Sequence, residues 1–424
     1  MTDLAPPPGA PSAAPASAPA PPRHDPVRPL ALLALAELLA MTLWFSATAV
    51  LPALEKAWAL SATGSAWLTV AVQAGFVAGA LASAVLNLPD VMPARRMMAV
   101  SAAAGAAVNL ALAWGVSSIG PALVLRFLTG VCLAGVYPPA MKVAAGHVSG
   151  RGRGLAIGIL VGALTLGSAT PHLVVGLLDA TRIPYRLVLT ISSILAALSA
   201  ILVGRFVTDG PFAPRPAPFD PRQVRQVLRD KAVLLANLGY FGHMWELYAM
   251  WTWLAVFLAA ALGPAEPAAA RLLAFACIGV AGSAGCVLAG FLADRIGRTT
   301  VTIAAMAVSG ACCLASPWAY TAPLWALCAF GLVWGLSVVA DSAQFSASVT
   351  ELAAPAYMGT ALALQTSLGF ALTMVTIWTL PLLAAEAGWR FVFVALAPGP
   401  LLGCLAMAAL RRRPEAVRLA AGRR

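Results

Sequence analysis

The 424-residue chain is 61% hydrophobic and 10% charged, and carries a formal net charge of +11. A soluble globular chain has about a quarter charged residues, so a water-soluble fold is excluded. The basic residues lie in short stretches between apolar runs instead of on one solvated face, which argues against a nucleic-acid surface.

Residues 1–29 hold ten of the 32 prolines, most of them in "APPPGAPSAAPASAPAPPR", a composition that cannot bury enough surface to fold and predicts a disordered Pro/Ala-rich tail. Arg23 and Arg28 lead into an apolar run too long for the core of a cleaved leader. Twelve such runs follow, at roughly 30–54, 64–86, 97–117, 120–144, 155–178, 187–207, 232–262, 271–293, 299–319, 323–348, 359–384 and 390–410. A hydrocarbon layer takes about 20 helical residues to cross, and lipid leaves the backbone no outside partner, so each run is expected to be a helix. The fold class expected is therefore an all-α membrane protein with twelve transmembrane helices in two pseudo-symmetric six-helix halves, 30–207 and 232–410. A linker at 208–231 joins them and a basic tail at 411–424 follows.

Of the 27 Lys and Arg residues, 20 fall on the side of the N-terminus and five (Lys56, Arg182, Arg186, Arg271 and Arg390) fall opposite. The bias of basic residues toward the cytoplasm then puts both termini inside. An internal repeat supports the two halves: "ELLAMTLW" from Glu37 returns as "ELYAMWTW" from Glu246, 209 positions later, and "YRLVL" from Tyr185 returns as "WRFVF" from Trp389, 204 later. An even number of spans separates the copies, so the halves share one topology about an axis along the membrane normal. The seven cysteines sit in apolar runs without CxxC spacing and read as packing thiols.

Charge inside a span is expensive, about 2.5–3.5 kcal/mol at the centre on insertion scales. The candidates for a substrate and proton cavity are Glu37 in span 1, Arg126 in span 4, His172 after Pro171 in span 5, His243 and Glu246 in span 7, and Asp341 in span 10. Spans 1, 4, 7 and 10 come once from each three-helix unit, so their polar residues are expected to share a cavity. His243 and Glu246 are i and i+3 on one helix face, a spacing that predicts a proton-linked pair in which the imidazole tunes the carboxylate. The alternative at each position is a polar group that only fixes helix packing. For Arg126 that means a carboxylate or backbone carbonyls as partner. Gln73, Gln344 and Gln365 are further polar positions on spans, and Trp44 and Trp251 are among the indoles able to stack on a solute.

"GFLADRIGR", Gly290 to Arg298, resembles the G-x-x-x-D-R-x-G-R signature of the major facilitator superfamily, and "LRFLTGVCLAG" from Leu125 is similar to that family's span 4 motif. The resemblance covers about residues 30–410. It implies a bacterial secondary transporter of the cytoplasmic (inner) membrane, worked by rocking its halves. The signature implies a conformational latch of Gly290, Asp294, Arg295, Gly297 and Arg298, with a degraded N-half copy in "LPDVMPARR" at Asp90 and Arg95, where Pro93 replaces the glycine. In relatives the span 4 arginine, here Arg126, is tied to proton coupling. Span 5 matches the antiporter motif only at Gly158 and Gly167, which favours symport.

The expected function is proton-coupled transport of a small polar solute by a monomer whose partners are that solute, protons and lipid, with no nucleic acid. No nucleotide-binding fingerprint occurs. Four scattered histidines give neither a metal site nor a nucleophile with its base, so no enzyme, cofactor, metal or catalytic residue is expected. The alternatives are a proton-driven efflux antiporter and a non-transporting membrane receptor.

Overall fold

The computed structural model describes residues 26–86, 88, 92–148, 153–178, 184–210, 220–263, 266–355 and 357–423. Residues 1–25, the stretch 211–219 of the 208–231 connection and Asp90 lie outside them. The described residues are nearly all helical, with no strand. Eleven helices are long and apolar enough to cross a membrane, and they coincide with expected spans 2 to 12.

The twelfth crossing, span 1, is in three pieces: Val27–Met41, Ser46–Ala49 and Leu51–Trp58. Between the first two, residues 42–45 form turns, with Leu43 N–H donating to Ala40 and Trp44 N–H to Met41. Span 7, its repeat partner, is one unbroken helix, Lys231–Leu262. Asp230 starts it by accepting from the N–H groups of Ala232 at 3.0 Å and Val233 at 3.2 Å, which satisfies donors that a helix N-terminus leaves free.

Spans 4 and 10 break at matching places. Span 4 runs Ile119–Ala134 and Tyr137–His147, with Pro138 and Pro139 opening its second piece, where missing N–H groups cost nothing. Span 10 runs Leu324–Ala340 and Ser342–Leu352 and breaks at Asp341, 205 positions after Val136. Span 8 contains a π-helical turn, Ala276–Ala281, between Pro267–Phe275 and Gly282–Ile296.

Helices approach most closely through glycine, again in matched pairs. A Cβ at Gly75 of span 2 (Ala62–Val85) would stand 1.9 Å from the Phe127 carbonyl of span 4, and one at Gly130 2.0 Å from that of Val72. In the second half, Gly285 meets Leu336 at 2.0 Å and Gly335 meets Cys277 at 1.9 Å. Small residues let backbones touch where lipid supplies no hydrophobic drive between helices.

The halves meet along two seams. Span 5 (Arg153–Leu177) lies against span 8 over its whole length: Gly154 beside Asp294, Gly158 beside Cys286 and Gly290, Gly162 beside Ser283, and Gly176 beside Leu272. Ser283 Oγ donates to the Gly162 carbonyl at 2.7 Å. Span 2 lies against span 11 (Met358–Ala387), with Phe76 and Phe370 ring centroids 4.3 Å apart.

The segment Pro414–Gly422 folds back under span 10. Ala416 and Leu419 are buried, Ala420 N–H reaches Glu351 Oε2 at 2.9 Å, Arg418 donates to the Leu352 carbonyl at 2.8 Å, and Arg423 donates to that of Asp294.

Candidate functional site

Every cavity residue expected from the sequence is buried: Glu37, Arg126, His172, His243, Glu246 and Asp341 are each at most 2% exposed. The structure groups them differently from their spacing. His243 and Glu246 share a helix but not partners. His243 Nδ1 lies 2.9 Å from Asp341 Oδ1 across the span 7–span 10 contact, at ion-pair distance. Glu246 instead faces spans 9 and 10, where Oε1 accepts from Trp334 Nε1 at 2.6 Å and Cys313 Sγ at 3.2 Å, and Oε2 from Ser309 Oγ at 2.9 Å. The expected tuning of Glu246 by His243 is thus replaced by a His243–Asp341 pair. One helical turn of separation sets a shared face, while the neighbouring helices choose each side chain's partner.

Arg126 has no carboxylate. Its guanidinium donates to the carbonyls of Leu68 at 3.3 Å, Leu43 at 3.1 Å and Trp44. Two of these belong to the turn that breaks span 1, whose carbonyls have no helical donor. Arg126 therefore stitches the break, which is the carbonyl alternative weighed for this position.

Glu37 is the counter-case. Neither of its oxygens has a hydrogen-bond partner, and the same holds for both polar atoms of Gln73, both nitrogens of His172, Ser168 Oγ, Ser367 Oγ, His243 Nε2, and the indole N–H of Trp44 and Trp251. Buried polar groups are ordinarily paired, so each of these is a place where a polar guest would gain. Gln344 and Gln365 are already engaged, the first with Arg298 at 2.7 Å and the second with Asn237 at 3.0 Å. Two of the unpaired groups, the indoles of Trp44 and Trp251, belong to a gathering of aromatic rings. Trp44 stands 5.1 Å from Phe76, 5.4 Å from Tyr248 and 5.7 Å from Phe370, and Trp251 5.4 Å from Tyr248. These rings come from spans 1, 2, 7 and 11, so they bridge both halves.

The signature motif is assembled at the face that carries the C-terminus. Gly290 packs on Gly154 and Gly158, and a Cβ at Gly154 would stand 2.5 Å from Asp294 Oδ1, so the carboxylate rests on the first turn of span 5. A helix N-terminus favours negative charge there. Gly297 turns the chain at φ +98°, a region open to glycine. Arg298 is forked onto Glu351 at 2.8 and 2.6 Å. Arg295 lies over the Phe291 ring at 3.8 Å. In the N-half copy Arg95 meets Asp209, at the start of the linker, at 3.6 Å.

Arg271 departs most from expectation. The sequence sets it at the outer start of the run 271–293, among the five basic residues opposite the termini, but the helix begins earlier, at Pro267, and buries it at the seam. Among the described residues no group of three His, Cys, Asp or Glu could hold a metal ion.

The sequence model of the Major Facilitator Superfamily matches residues 33–374 and 236–424. The chain belongs to this superfamily. Its members are membrane transporters and not enzymes. Among solved structures, the proton:xylose symporter XylE bound to 6-bromo-6-deoxy-D-glucose is similar at 15% identity and a TM-score of 0.71, covering 91% of this chain and 96% of that one. XylE from E. coli in a partially occluded inward-open state gives 13% identity, a TM-score of 0.70, and 91% and 97% coverage. The human organic anion transporter MFSD10 gives 15% identity, a TM-score of 0.68, and 92% and 100% coverage. At these identities the likeness is one of fold. No curated protein matches the chain in sequence.

Proposed function

We propose that the chain is a proton-coupled secondary transporter that moves a small polar solute by alternating access. The observation that carries this reading is a set of carboxylates buried inside spans with no fixed cation of Lys or Arg: Glu37 without a partner and Asp341 against His243. A carboxylate so placed can take up and release a proton as rocking of the halves changes its access to water. Solute would sit among the rings of Trp44, Tyr248, Trp251 and Phe370, with Gln73 and Glu37 as polar contacts. The 20-to-5 charge bias supports termini on the cytoplasmic side of a bacterial inner membrane, the 30–207 and 232–410 halves would rock as units, and the fold needs no second copy.

The test is pyranine-reported proton flux into proteoliposomes, run with each solute that raises the unfolding midpoint of the purified protein. Solute-dependent acidification that uncoupler removes is expected. Binding without any proton movement would overturn the coupling. A second reading, proton-driven efflux of aromatic compounds, is favoured by the ring cluster alone. It requires solute and protons to move in opposite directions in the same assay.

A further inference from the structure

The geometry points to a carboxylate-binding site where spans 5 and 8 meet at the face opposite the termini, made by Arg271 and His172. Arg271 lies in the second turn of Pro267–Phe275 and is 9% exposed, yet among the described residues it makes no hydrogen bond and no ion pair. Glu55 is within range of its charge but bonds to Ser65 at 2.6 Å instead. A buried cation without a counter-ion is costly. A guanidinium is also the side chain whose planar fork matches a carboxylate with two parallel hydrogen bonds.

Arg271 opens on a cavity of about 60 Å³ walled by Val50, Pro52, Val175 and Val188, with Tyr185 at its edge. That space takes several water-sized groups, and its apolar walls suit a short aliphatic body. His172, 1% exposed and without a partner at either nitrogen, comes from the other half, one helical turn before Gly176, which packs on Leu272 beside Arg271. A neutral imidazole always has one N–H to donate. The two side chains come from opposite halves, so the site is whole only when this end of the seam is closed, and an anion there favours that closed state. This deepens the transport reading by giving the solute a negative charge, and rests on it only in taking the bound anion as cargo.

The test is calorimetric titration of the purified full-length protein with sodium butyrate, its neutral amide butyramide, and inorganic phosphate, all at one ionic strength. Saturable binding of butyrate is expected, with butyramide and phosphate each weaker. Arg271→Gln should weaken butyrate by at least about tenfold, as loss of a charge-assisted pair implies, and His172→Phe by a smaller factor. Arg271→Lys, which keeps the charge and loses the fork, should bind between the two, and it decides the matter if Arg271→Gln does not fold. No butyrate binding, equal binding of butyramide, tighter phosphate, or full affinity in the Arg271 variants overturns the site. Butyrate counterflow in proteoliposomes is read separately: binding without counterflow removes cargo status and leaves the site standing.

Discussion

Glu37 and Glu246 open the two copies of one repeated stretch, and their surroundings have diverged. Glu246 collects three donors from two neighbouring spans, whereas Glu37 collects none. Glu246→Gln puts an amide N–H where donors already converge, so it should lower the thermal unfolding midpoint, by an amount in keeping with about 1–3 kcal/mol for a buried group left unmatched. Glu37→Gln breaks no bond and should leave the midpoint nearly unchanged, while abolishing proton-driven accumulation and sparing counterflow. Equal midpoints in the two mutants would show that the donors around Glu246 carry no weight. Arg126 supplies a second prediction at this scale. Arg126→Met removes a charged donor from three carbonyls, of which that of Leu43 keeps the Ser46 hydroxyl at 3.0 Å, and a buried group left unmatched costs about 1–3 kcal/mol. The purified mutant should therefore unfold at lower temperature than Glu37→Gln. The buried charges themselves were legible as isolated polar letters in apolar runs. Their partners were not, because a sequence gives the face of a helix and not the helix packed against it. Arg271 was missed because, as the first residue of its apolar run, it counted as an outer-side charge, although the helix starts a turn earlier at Pro267.

Glycines divide into those that hold a half together and those that hold the halves to each other, and substitution should tell them apart. A methyl group at Gly130 runs into the Val72 backbone 2.0 Å away inside one half. Gly130→Ala should accordingly cut the yield of folded protein, as overpacking that only backbone shifts can relieve. At Gly158 the obstruction is the Cys286 carbonyl, 2.7 Å away across the seam. Gly158→Ala should fold and unfold normally but open the span 5–span 8 seam, measured as increased alkylation of the otherwise buried Cys286 thiol. Unchanged alkylation would mean that the seam yields without opening. Eleven of the spans were legible from hydropathy alone, but the breaks were only partly so. Pro138 and Pro139 announce the one in span 4, and Asp341 marks the one in span 10 by its polarity. The turn at 42–45 and the π-turn at 276–281 have no proline or charge to signal them, since their causes lie in other helices.

Across the whole molecule, the repeat offset near 205 predicted two like halves, and the matched glycines and matched breaks follow it. What the offset could not give is the seam: among the described residues Asp294 of the second copy rests on span 5, while Arg95 of the first meets Asp209. Asp294→Asn should therefore loosen the face bearing the termini. A carboxylate at a helix N-terminus is worth about 0.3–1 kcal/mol when exposed and up to roughly 2 when partly buried, enough for a severalfold rise in labelling of single cysteines on that face and a fall on the other. Arg95→Gln, by contrast, should change neither.

The folded-back segment Pro414–Gly422 gives the same face a history. During synthesis, Arg298 can find Glu351 as soon as span 10 is in the membrane, but the N–H of Ala420 and the guanidinium of Arg423 follow only after span 12. Until then every span is present and the Asp294 end of the seam lacks its brace. A chain stopped after Arg413 would stay at that unfinished stage for good: inserted and helical, yet opened at that face by proteases that leave the finished protein whole.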